Sequence, residues 1–98
     1  MNLDKAKKRI AKQINKGFDG YPQLTLTYFG RSSDCATEVV VGFIAEAGAA
    51  VQEQRFVSKQ DARQDETIQS VLVKIIERAD ARTVTEVPGT VIIAHTSS

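Results

Sequence analysis

Apolar and polar residues follow two rhythms along this chain, and the change between them marks out its elements. Over residues 3–16, Leu3, Ala6, Ile10 and Ile14 recur at helical spacing and fall on one face of a first helix. Asn2 stands before the run as an N-cap and Gly17 after it as a C′ residue. Phe18 to Pro22 read as a connector, broken by Gly20 and Pro22. From residue 23 the period drops to two. Leu24, Leu26 and Tyr28 share one face of a strand over 23–29, and Thr25, Thr27 and Phe29 share the other. Gly30 to Asp34 form a turn by composition. Residues 37–46 contain the run Val39-Val-Val-Gly-Phe-Ile44, which predicts a central strand flanked by neighbours. Gly42 within it signals a bulge or a close approach. Residues 51–57 make a third, more polar strand, suited to a sheet edge.

Ser58 is expected to open a long helix that ends near Ala81, with Asp61 completing a short capping box. Ile68, Val71, Leu72, Ile75, Ile76 and Ala79 form its apolar stripe. Acids sit early in this helix and Lys74, Arg78 and Arg82 late, in the order the helix dipole favours. The tail holds two strand-like stretches, 83–87 and 90–94, around Pro88-Gly89. That dipeptide suits a type II turn, so a loose connection is expected in place of a tight hairpin. The predicted fold is α+β in the order α-β-β-β-α-β: an N-terminal helix, a three-stranded antiparallel sheet, a long second helix, then one or two short C-terminal strands. Both helices lie on one sheet face, which leaves the other face or an edge open. One domain is expected over residues 1–95, with 96–98 a frayed tail.

Composition narrows the class. The 98 residues are 42% apolar and 26% charged, which excludes a disordered chain. No apolar run reaches the ~18 residues of a membrane span, and the charged start offers no secretory core. One Cys and one His make neither an internal disulfide nor a structural zinc site. The expectation is a soluble, cytoplasmic domain without metal or cofactor.

Charge adds what the average hides. The net charge is +1, yet residues 1–16 carry six cations against Asp4 alone, and the remainder is net negative. On the first helix Lys5, Lys8, Arg9, Lys12 and Lys16 fall within an arc of about 100°, opposite the apolar face. A charged outer face is ordinary for a soluble helix. A face of one sign is less so, because Lys8–Lys12 and Lys12–Lys16 each cost about 0.2–0.5 kcal/mol in helix stability. These five residues are therefore the candidate site for an anionic partner, RNA or DNA first and an acidic protein surface second. A membrane is disfavoured, because the aliphatic side of this helix is needed in the core.

Other candidates are weaker. Cys35 and His95 lack any spacing that would make an activated thiolate. Asp61, Asp65 and Glu66 sit where acids complement a helix start. Gly17-Phe-Asp-Gly20 has the G-x-x-G spacing of a backbone-clamping loop, but a strand follows it where a helix is needed. No nucleotide-cradling glycine motif is present. The expectation is a non-enzymatic module without catalytic residues. The alternative is a small regulatory or structural protein that captures a protein or forms a homodimer through a sheet edge or its C-terminal strand.

The order helix, three strands, helix resembles that of double-stranded RNA-binding domains over about residues 3–80. Ser58-Lys59-Gln60-Asp61-Ala62 is similar to that family's Ser-Lys-Lys-x-Ala helix opening. Gln60 stands where the family has a lysine, and Asp65 and Glu66 where it packs alanines. The family grips RNA with its second helix, whereas the cations here cluster on the first. The resemblance implies a topology and carries no function by itself.

Overall fold

The computed structural model describes residues 2–93. Its elements are α1 (Leu3–Asn15), β1 (Gln23–Gly30), β2 (Glu38–Ile44), β3 (Gln52–Val57), a 3-10 turn (Ala62–Gln64), α2 (Glu66–Arg78), β4 (Thr83–Glu86) and β5 (Val91–Ile92). The expected order holds. β2 sits between β1 and β3 with antiparallel pairing on both sides, as its apolar run requires. β3 is the outer strand. β4 and β5 both pair parallel with β1, one beyond the other along the same edge, so the sheet is mixed. The two tail segments are thus successive stretches of one edge, interrupted at Pro88-Gly89, and not a hairpin.

Both helices cover one sheet face. Leu24, Leu26 and Tyr28 of β1, Val39 and Val41 of β2 and Val84 of β4 point into the core. They meet Ala6 and Ile10 from α1 and Ile68, Leu72, Val73 and Ile76 from α2. Most of these side chains are essentially inaccessible, and full burial of a Leu- or Val-sized side chain is worth about 1.5–3 kcal/mol. The opposite face is partly open: Thr25, Thr27 and Phe29 are half-buried there. Gly42 lies on that face, where a Cβ would come within 3.2 Å of Val51 Cγ1. The close approach is real, while the register through Gly42 is unbroken.

The start of the second helix departs from the expectation. Residues 58–65 do not join α2, and Ser58 is not its N-cap. Ser58 N–H continues the β2–β3 ladder by donating to Thr37 O (2.8 Å), and Ala62 N–H donates to Ala36 O. Those bonds hold the segment against the start of β2, and the second takes the N–H that a helix from Ser58 would turn to Ser58 O. Asp65 caps α2 by accepting from Ile68 N–H (3.2 Å), and Asp65 also accepts from Ser58 Oγ (2.8 Å). At the far end α2 stops at Arg78, short of Ala81, because Asp80 takes a left-handed conformation (φ 51°). The ends of α1 match the sequence reading: Asn2 Oδ1 accepts from Lys5 N–H (2.8 Å), and Gly17 takes φ +73°. Residues 94–98, including His95 and the expected tail, lie outside the described residues.

Candidate functional site

Burial of Ala6 and Ile10 fixes the rotation of α1 on the protein. The rotation that buries them turns Lys5, Lys8, Arg9, Lys12 and Lys16 outward, and all five are exposed. Lys16 Nζ donates to Gln13 Oε1 (3.2 Å), a contact within the helix. Among the described residues the ion pairs are Arg55–Glu38 and Arg82–Asp19, so none of the five cations is neutralised by a carboxylate. Arg9 and Lys12 also line a groove of about 260 Å³ between the helices, opposite Val73, Ile76 and Glu77 of α2. The sixth cation, Lys7, is half-buried and belongs elsewhere. It faces a separate cavity of about 210 Å³ with Tyr28, Arg63, Gln69 and Glu86.

That second cluster carries the shifted titrations among the described residues. Tyr28 ends the inward face of β1, and its hydroxyl accepts from Gln69 Nε2 (2.9 Å). Gln69 Nε2 donates also to Ala62 O (2.9 Å). The Arg63 guanidinium lies 4.2 Å from the centroid of the Tyr28 ring, a cation–π distance. It donates to Thr90 Oγ1 (2.7 Å) and to Gly89 O, tying the 3-10 turn to the segment before β5. Burial pushes the Tyr28 hydroxyl above its usual 10.0, and the Gln69 hydrogen bond works in the opposite direction. Burial also raises the Glu86 carboxyl, with Arg63 partly offsetting the shift. Tyr28, Gln69 and Arg63 are tied to one another and to the backbone, so the arrangement is a clasp between elements. Sequence reasoning passed over it. Its signals were a tyrosine in register with two inward leucines, and a glutamine three and four residues before Leu72 and Val73, on the same helix face.

The remaining sequence candidates separate. Asp61 caps the 3-10 turn, accepting from Arg63 N–H (3.0 Å), and Asp65 caps α2. Cys35 is half-buried in the β1–β2 connection, bridged to Ser32. Among the described residues no three His, Cys, Asp or Glu side chains are grouped to hold a metal ion. No helix among them is long and apolar enough to cross a membrane. The chain matches no protein-family model, no curated protein and no solved structure.

Proposed function

We propose that this domain is a non-enzymatic binding module that meets a nucleic-acid backbone through Lys5, Lys8, Arg9, Lys12 and Lys16. The observation that supports the reading is a row of five exposed cations on a helix whose opposite side is buried, with no carboxylate paired to any of them among the described residues. Like charges at Lys5–Arg9, Lys8–Lys12 and Lys12–Lys16 weaken the helix, so the pattern opposes stability and suits an external anion. The rigid backing of α1 on the core spares binding the backbone part of the ordering cost, leaving that of the side chains.

Titration of duplex RNA and duplex DNA against salt tests the proposal. About four phosphate contacts give roughly a hundredfold loss of affinity between about 50 and about 200 mM salt. Lys8→Glu with Lys12→Glu abolishes binding while the melting temperature stays near that of the parent, because both side chains are exposed. Unchanged affinity in that variant defeats the reading. Binding to poly-glutamate in preference to either duplex moves the partner to an acidic protein surface.

A further inference from the structure

We propose that β3 is the contact strand of a homodimer, in which a second copy of this chain pairs with it antiparallel about Gln54, with Glu53 of each copy facing Arg55 of the other. β3 is one edge of the sheet, with β4 and β5 along the other, and Gln52 to Arg55 and Val57 are exposed on it. It has no proline or lysine, and its register with β2 runs unbroken from Gln52 to Val57, so the charges of Glu53 and Arg55 are what guards this edge. What it carries is a self-complementary sequence. With Gln54 opposite Gln54, Glu53 meets Arg55, Gln52 meets Phe56 and Val51 meets Val57. Val51 is 53% exposed and Val57 68%, so the pairing covers two of the most exposed aliphatic side chains on the molecule.

The backbone permits this alignment, and charge selects it. Ser58 N–H donates to Thr37 O. The alternation of an antiparallel ladder then turns the N–H and C=O groups of Gln52, Gln54 and Phe56 toward β2, and those of Glu53, Arg55 and Val57 toward the open edge. Outward residues pair only with outward residues, so allowed registers differ by steps that keep the same faces together. Centring on residue 53 sets Glu53 against Glu53, and centring on residue 55 sets Arg55 against Arg55. Like charges directly opposite are unfavourable, and Gln54 is the centre that sets opposite charges together. Within the chain Glu53 has no ion pair among the described residues, and Arg55 is held only loosely, 3.9 Å from Glu38.

Sedimentation or light scattering across a concentration series reads the result. The mass is expected to rise from 10.7 kDa toward twice that value. Glu53→Arg alone and Arg55→Glu alone each create two like-charge pairs and weaken dimerisation by about tenfold or more. Combining the two substitutions reverses each pair and restores the dimer. Circular dichroism melts of dilute samples establish that each variant is folded. A parent that remains at 10.7 kDa up to ~1 mM overturns the proposal. So does a folded single variant that dimerises like the parent, a folded double variant as weak as the singles, or a dimer lost only when the chain is cut before Pro88.

Discussion

Glu86 sits half-buried beside Arg63 and Tyr28, where burial raises its carboxyl above the ordinary 4.5 despite the nearby guanidinium. Lys7 faces the same cavity. A carboxyl raised in the folded state binds its proton more tightly there than in the unfolded chain. Its contribution therefore favours folding below about 4.5, falls as pH climbs through the folded-state value, and is unfavourable above it. Glu86→Gln is accordingly expected to raise the melting temperature at pH 7, with the gain shrinking to nothing below pH 4.5. Melts of both proteins across pH check this, and a gain that persists in acid points to a different cause. Tyr28 follows the same sign at the alkaline end: its raised hydroxyl keeps the folded protein neutral there above 10.0. Neither residue stood out in the sequence as titrating abnormally. A lone inward glutamate in a four-residue strand looks like an edge charge until the elements above it are placed.

At the scale of elements, Asp65 and Ser58 separate two ways of starting α2. The apolar stripe and the weak capping box point to Ser58, and a helix from there would rely on its hydroxyl. In the fold the cap is Asp65, which accepts from Ile68 N–H and from Ser58 Oγ. Asp65→Ala is expected to cost about 1–2 kcal/mol, the usual loss for an aspartate cap with a buried hydroxyl left short of an acceptor. Ser58→Ala is expected to cost less, because the Ile68 bond survives. Urea unfolding of the two variants measures the order, and the reverse order shows that the Ser58 hydroxyl matters more than the Asp65 cap. The difference from the sequence reading has a plain origin. Helical periodicity is a local signal, whereas the bonds from Ser58 and Ala62 to residues Thr37 and Ala36 join segments that only the sheet brings together. The same holds for the tail. Its strand character was legible at Thr83–Glu86, but a parallel pairing with β1 depends on where α2 delivers the chain. What local pattern did determine was the inward set Leu24, Leu26 and Tyr28, the buried face of α1 and the polar outer strand; on α2 it found Ile68, Leu72 and Ile76 but missed the buried Gln69 and Val73 and included Val71, Ile75 and Ala79, which are half-buried.

At the scale of the whole molecule the two proposed surfaces are independent in position but linked in consequence. α1 lies against α2 and β4, while β3 is at the opposite edge. The cationic row of α1 was visible as a sequence pattern because one helix contains all of it. The complementarity of β3 was harder to see: the strand was expected at an edge, but the opposite charges on either side of Gln54 matter only once the ladder fixes which residues turn outward. Antiparallel edge pairing about a two-fold axis runs the sheet continuously through both copies, so both helical layers fall on the same side. A dimer then offers two α1 rows to one surface, and a nucleic acid long enough to reach both gains from effective concentration. The parent is expected to bind such a duplex about tenfold or more tightly than Glu53→Arg or Arg55→Glu does, although these change net charge in opposite directions. On a duplex too short to reach both rows, the affinity per chain changes little beyond the small shift expected from net charge. Fluorescence titrations against the two lengths, with the combined variant restoring the long-duplex affinity, distinguish the outcomes. If the two single variants move affinity in opposite directions on both lengths, their charge alone is at work and the two surfaces do not cooperate.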